Sequence, residues 1–338
     1  MLASEIMKRV REIQVKTGRQ VADVLAGQYE SVFKGGGIEF EEVRPYIPGD
    51  EIRAIDWNVT ARMGEPFVKR FVEERQLTLM LMADVSASQL FGSGERSKLE
   101  AVAELCALLA FAANYNDDKI GLLLFHGAIE KYIPPRKGQK HSLRVVREVL
   151  THGQPIETRS SKAANADSTS EDSNSGGLFS RLFGRRSNSL KTRRSRWQKN
   201  EQATNISGAT EFLLNVSKRK TVCFVVSDFQ DSNYLNVLRS ANRKHDVIAV
   251  MVTDPRELEL PNAGMVNLTD AETGQSILVD SSSQVVRERF RENALKRVER
   301  VEKELRSSRI DFVHVDSSQS IVNPLVDFFR MREQRRRR

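Results

Sequence analysis

Leu77-Thr78-Leu79-Met80-Leu81-Met82-Ala83-Asp84-Val85-Ser86-Ala87-Ser88 is the stretch that decides the architecture. Leu77–Ala83 is almost unbroken apolar sequence, which predicts a strand covered on both faces, as in a parallel sheet. Asp84, Ser86 and Ser88 follow at alternate positions, so in an extended segment their oxygens leave the chain on the same side. They gather at the carboxyl end of a central strand, where open α/β sheets place their ligands.

Downstream, a helix is expected over 97–115. Its apolar residues Leu99, Val102, Ala103, Cys106, Leu109, Ala110 and Ala113 recur at spacings of three and four. Asn116-Asp117-Asp118 ends it, Lys119–Phe125 reads as a second buried strand and His141–Leu150 as another helix. The alternation resumes with a helix at Ile206–Val216, a strand at Thr221–Ser227, a helix at Tyr234–Arg243 and a strand at Val247–Thr253. Val266–Thr269 and Ser276–Val279 suggest a hairpin, followed by a helix over 284–307, the strand Ile310–Val315 and a helix at Ile321–Arg330. Such alternation predicts an α/β fold with a doubly wound, mostly parallel sheet of Rossmann type.

Upstream, residues 3–16 suit a short amphipathic helix with Ile6, Val10 and Ile13 on one face. Ile38–Tyr46, Ile55–Arg62 and Pro66–Glu73 read as strands of a small N-terminal β subdomain, separated by Pro48-Gly49-Asp50 and Gly64. The chain then divides into a helix and β subdomain at 1–76 and the first part of the α/β domain at 77–156. A Ser/Arg-rich insertion expected to be disordered fills 157–203, the second part of the domain spans 204–330, and a basic tail occupies 331–338.

The formal net charge is +8, but the excess is local. Eight Lys or Arg and no acid lie between Arg181 and Lys199, and six Arg against one Glu lie between Arg330 and Arg338. The rest is mildly acidic, which argues against a basic nucleic-acid-binding core and for patch-wise contacts. Such patches leave open an alternative class, a membrane-surface or nucleic-acid-associated protein acting through its insertion and tail. Phe179, Leu182 and Phe183 beside Arg181, Arg185 and Arg186 would be its docking element.

Two cysteines, Cys106 and Cys223, both in apolar runs, give no disulfide framework. The charged start around Lys8, Arg9, Arg11 and Glu12 does not read as a signal peptide, and no apolar run has the roughly 18 residues needed to span a membrane. The expectation is a cytoplasmic chain.

Two further oxygen-bearing residues stand at ends of elements: Asp228 directly follows the strand Thr221–Ser227, and Thr204 precedes the helix leading to it. Asp84, Ser86, Ser88, Thr204 and Asp228 are then a candidate shell for Mg²⁺ or another divalent cation, which prefers hard oxygen donors. Few carboxylates leave residual positive charge for a partner's Asp or Glu. The plainer alternative is that Asp84, Ser86 and Ser88 cap a helix and tie down a loop, as Asp231 and Asp254 are expected to do. Gly35-Gly36-Gly37 lacks the Lys-Ser/Thr of a phosphate loop, no HExxH or GxSxG is present, and Ser86 has no evident base, so the chain reads as a binding module and not an enzyme.

The stretch Gly37-Ile38-Glu39-Phe40-Glu41-Glu42-Val43-Arg44-Pro45-Tyr46-Ile47-Pro48-Gly49-Asp50, with Arg53, Ile55-Asp56-Trp57 and Ala61-Arg62, resembles the bacterial domain-of-unknown-function family 58. Val68-Lys69, Glu73-Glu74, Asp84-Val85-Ser86-Ala87-Ser88, Gly121–Phe125 and Pro134-Pro135-Arg136-Lys137-Gly138 continue the match. The resemblance is dense over about 27–150 and looser over about 205–330. It implies a von Willebrand factor A-like fold with a metal ion-dependent adhesion site, in which Asp84, Ser86 and Ser88 form the first motif, Thr204 the second and Asp228 the third. It also implies work beside a MoxR-type AAA+ ATPase, in chaperone-like assembly or stress response, on an acidic client protein. Asp56 and Trp57 read either as a packed turn or as a contact surface for that ATPase.

Overall fold

The computed structural model describes residues 37–74, 76–94, 96–152, 204–269 and 274–337. The expected helix at 3–16 and the insertion at 157–203, with its Phe179, Leu182, Phe183 and arginines, lie outside the described residues.

A six-stranded mixed sheet forms the centre. Its strands are β3 (Thr78–Asp84), β4 (Lys119–Phe125), β5 (Ile129–Arg136), β6 (Val222–Ser227), β7 (Asp246–Thr253) and β10 (Asp311–Asp316), in the spatial order β10-β7-β6-β3-β4-β5. All neighbours run parallel except β5, which is antiparallel to β4 at the edge. Alternate residues of each strand feed opposite faces, as the period of two requires. Leu79, Leu81, Ile120, Leu122, Phe224 and Val250 join one apolar cluster, while Met80, Met82, Leu123, Val225 and Met251 join the other. Helices α2 (Lys98–Tyr115), α3 (Gln139–His152) and α8 (Val322–Arg337) cover the first face. Helices α4 (Ile206–Val216), α5 (Leu235–Lys244) and α7 (Gln284–Ser307) cover the second. The expected α/β sheet is thus present, with one antiparallel edge.

The edge strand β5 was not expected, since Pro134 and Pro135 argue against an interior strand. Proline is tolerated at an edge, where its missing N–H faces no partner. The register of β5 on β4 shifts between Ile120 and Leu122. There Gly121 lets the chains approach: a Cβ on it would lie 2.8 Å from Met80 Cε and 2.9 Å from the Ile133 carbonyl oxygen.

Helix α2 is started by a capping box, with Ser97 Oγ accepting from the Glu100 N–H at 3.2 Å and Glu100 Oε2 accepting from the Ser97 N–H at 3.0 Å. Its sequence pattern predicts one buried stripe, yet every residue from Lys98 to Ala113 except Glu100 is buried. Helix α3 supplies the extra cover, with Val145, Val146, Val149 and Leu150 in the same cluster.

In the N-terminal part, β1 (Gly37–Pro45) pairs antiparallel with β2 (Phe67–Glu74). The strand expected at Ile55–Arg62 is instead a 3-10 turn at Ile52–Ala54 followed by helix α1 (Trp57–Met63). Asp56 caps that helix by accepting from the N–H groups of Asn58 and Val59, and Gly64 ends it in a left-handed conformation. A capping Asp and a terminal Gly with seven residues between them are the local signals that override the β-rich composition. Strands β8 (Met265–Thr269) and β9 (Ser276–Asp280) form the expected hairpin, and helix α6 (Pro255–Leu258) precedes it.

The basic end at 331–338 is not a loose tail as far as it is described: Met331 to Arg337 continue helix α8. Arg332 binds both oxygens of Asp246 at 2.7 and 2.8 Å and reaches Asp311 at 3.1 Å, and Arg335 binds Asp311 at 2.8 Å. These acids open β7 and β10, so the arginines fasten the last helix to the amino ends of two strands.

Gly121→Ala is expected to lower unfolding free energy by about 1–3 kcal/mol, the usual range for overpacking where backbone bounds the space. Urea unfolding measures it, and an unchanged midpoint would show that β4 and β5 do not approach as described.

Candidate functional site

Chain connections leave β3 in opposite directions, toward β4 on one side and, later, β6 on the other. The gap between the carboxyl ends of β3 and β6 is therefore the switch point of the sheet, a crevice that open α/β sheets use for ligands. Asp84 ends β3, Ser227 ends β6, and Asp228 follows it. Thr204 lies just ahead of α4, whose Asn205 cap accepts from the Gly208 N–H at 2.7 Å.

Asp84 is fully buried and carries three donors. Its Oδ1 accepts from the Ser86 N–H at 2.9 Å, and its Oδ2 accepts from the hydroxyls of Ser227 at 2.6 Å and Thr204 at 3.3 Å. The Ser86 and Ser88 hydroxyls lie 3.0 Å apart in the turn that follows. Asp228 is equally buried: its Oδ2 accepts from Lys98 Nζ at 2.9 Å and from Gln230 Nε2 at 3.3 Å, while its Oδ1 is a buried oxygen with no hydrogen-bond partner among the described residues. Lys98 Nζ also donates to Glu257 Oε1 at 2.7 Å.

The structure thus joins Asp84 to Thr204, pairs Ser86 with Ser88, and brings Asp228 close enough that its charge acts on Asp84. Burial first, and the neighbouring Asp228 charge second, push the Asp84 carboxyl up to about 7 against the pull of its Ser227 and Ser86 hydrogen bonds. For Lys98, burial works to lower the pKa, but Asp228 and Glu257 outweigh it and the ammonium is held above its ordinary value.

Sequence reasoning missed two participants. From sequence Ser227 reads only as the end of a strand, yet its hydroxyl donates to Asp84 Oδ2 at 2.6 Å. Lys98 carried no signal, because a lysine at the start of a helix is ordinarily solvated; here it is among the largest fully buried side chains.

Other expected residues fall elsewhere. Asp56 is engaged by its cap bonds and by Lys69 Nζ at 3.0 Å, which tie its carboxylate into the N-terminal hairpin. Trp57 beside it is 66% exposed. Asp231 accepts from the Ile206 N–H at 2.9 Å and Asp254 caps α6, as expected. Both cysteines are buried, and burial alone pushes the Cys106 thiol up to about 12.

Among the described residues, no three His, Cys, Asp or Glu side chains are grouped so as to hold a metal ion. What the switch point offers instead is two carboxylates with hydroxyls, and one carboxylate oxygen left unpaired. That donor set has the character a hard divalent cation takes, and it lacks the imidazoles and thiolates that softer metals take.

The family model "Protein of unknown function DUF58" matches residues 42–180 and 187–300, and the chain belongs to that family. The Mycobacterium tuberculosis protein Rv1480 and the Mycobacterium bovis protein Mb1516, both described as uncharacterized, are each 28% identical over 267 residues, or 78% of this chain and 70% of theirs. Among solved structures, BatB from Bacteroides thetaiotaomicron overlaps 76% of this chain and 99% of its own at 15% identity, with a TM-score of 0.40. An aerotolerance-related membrane protein from Bacteroides fragilis overlaps 77% and 99% at 14% identity, with a TM-score of 0.42. Overlaps this loose carry no functional conclusion.

Asp84 keeps its proton in the fold up to about pH 7, whereas an unfolded Asp titrates near 4. The folded state therefore holds the extra proton across that interval, and stability falls as pH rises through it. With chelator present, urea midpoints should decline from about pH 4 to about pH 7 more steeply in the wild type than in Asp84→Asn. Equal slopes would mean that Asp84 is ionised throughout.

Proposed function

We propose that this DUF58 protein is a non-enzymatic binding module of the von Willebrand factor A-like kind, gripping partners through a divalent cation held by Asp84, Ser86, Ser88, Thr204 and Asp228. The observation that carries the reading is the meeting of Asp84 with Thr204, 120 residues away, beside a buried Asp228 oxygen that no group among the described residues satisfies. Buried unpaired carboxylate oxygens are costly, and a cation is the simplest remedy. When bound, Mg²⁺ would supply a positive centre with room for one more oxygen ligand, such as the carboxylate of an acidic client. The chain's own residues position the donors: β3 and β6 bring Asp84 and Asp228 together, and the turn after β3 sets the two serines.

Two features support recognition over hydrolysis. The Ser86 hydroxyl lies 3.0 Å from that of Ser88, and the carboxyl it also bonds, Asp84, is already engaged by Ser227 and Thr204. Leu90 and Phe91, at the end of the same turn, are exposed at 41% and 45%, an apolar rim beside the proposed cation. We assign the partnership to a MoxR-type AAA+ ATPase in chaperone-like assembly or stress response, with exposed Trp57 as a contact, and place the module in the cytoplasm. Among the described residues no helix is long and apolar enough to cross a membrane. The alternative of a membrane-surface or nucleic-acid protein loses one support, since Arg332 and Arg335 are spent on Asp246 and Asp311.

Mg²⁺ at ten times its Kd should stabilise the wild type by about 1.4 kcal/mol, read as a rise in Tm that chelator reverses. Asp84→Ala should show no rise, and an equal rise in that variant would place the cation elsewhere. Pull-down of the ATPase should likewise require Mg²⁺ and Asp84.

A further inference from the structure

The proposed cation would not be the first positive charge at Asp228, because Lys98 is already there. We infer that Lys98 sets the cation affinity of the site: its ammonium, bridged between Asp228 and Glu257, competes with a divalent cation for the Asp228 carboxylate and holds binding of the bare ion weak. This rests on the cation reading above.

Lys98 occupies a place where a cation is disfavoured twice. It is the first residue of α2, where the helix dipole presents positive charge, and it is wholly shielded from water. Only the carboxylates 2.9 and 2.7 Å away, from two other elements, make the position tenable. For packing alone, an apolar side chain of similar length would serve at lower cost. The lysine is thus explained by charge and not by shape.

Its geometry divides the two carboxylates. Lys98 takes one oxygen of Asp228 and leaves the other without a partner among the described residues. Glu257, anchored as the third residue of α6 by its bond from the Asp254 N–H at 3.1 Å, draws the ammonium away from Asp228. The site can therefore accept a cation at Asp228 without expelling the lysine, but the dication and the ammonium repel each other across one carboxylate in a poorly screened interior. Removing the ammonium should tighten cation binding, and removing Glu257 should weaken it by returning the whole lysine charge to Asp228.

The test is Mn²⁺ binding to the full chain, followed by the spectroscopic signal of the free ion, with circular dichroism to check folding. Lys98→Met should bind Mn²⁺ about tenfold more tightly than the wild type or better, and Glu257→Gln about fivefold more weakly. Equal affinity in the wild type and Lys98→Met overturns the inference. Should Lys98→Met fail to fold, Glu257→Gln decides, and unchanged or tighter binding there overturns it. Loss of Mn²⁺ binding from every form, wild type included, overturns instead the cation reading beneath it.

Discussion

Asp84 and Asp228 are driven out of water by the same packing that builds the sheet. Strands β3 and β6 are its central pair, and both carboxylates sit where those strands run out, with no exposed surface. Two buried carboxylates repel each other and lose their hydration, so the fold must answer their charge locally. It answers Asp84 with an N–H and two hydroxyls, and Asp228 with an ammonium. Breaking a buried pair such as Lys98–Asp228 typically costs about 3–5 kcal/mol, comparable with much of a domain's net stability. The arrangement at the switch point is therefore both a requirement of the fold and its most chemically charged place.

The sheet was legible because its strands are buried on both faces and written as apolar runs between helices of ordinary length. Leu77–Ala83, Lys119–Phe125 and Val247–Thr253 came within a residue or two of the observed strands for that reason. Elements at the periphery were less legible, because there local chemistry outweighs composition. Strand β5 carries Pro134 and Pro135 and exists only because an edge forgives them. Helix α1 lies in a stretch with Ile55 and Val59, yet the Asp56 cap and Gly64 terminator decide it.

Charge misled in a related way. Counting Arg along the sequence suggested a free basic end, but a linear count cannot see that Arg332 and Arg335 lie over Asp246 and Asp311, acids 86 and 24 residues away. The same blindness hid Lys98, whose partners come from after β6 and from α6. Asp84, Thr204 and Asp228 could be proposed beforehand because each stands next to the end of an element, and ends of parallel strands and of the helices feeding them converge on one edge of such a sheet. Lysines have no comparable rule.

Hydroxyls are the fitting companions for carboxylates in such a crevice. A serine or threonine hydroxyl donates one hydrogen bond and keeps lone pairs to offer. Thr204 steadies Asp84 as a donor through an oxygen that by its chemistry can also accept, where a backbone N–H such as that of Ser86 can only donate. A third carboxylate in place of Thr204 would offer more charge to a cation but would add another buried repulsion to a pair already opposed. On the cation reading, residues that satisfy Asp84 without the ion would let the crevice stay folded in its absence.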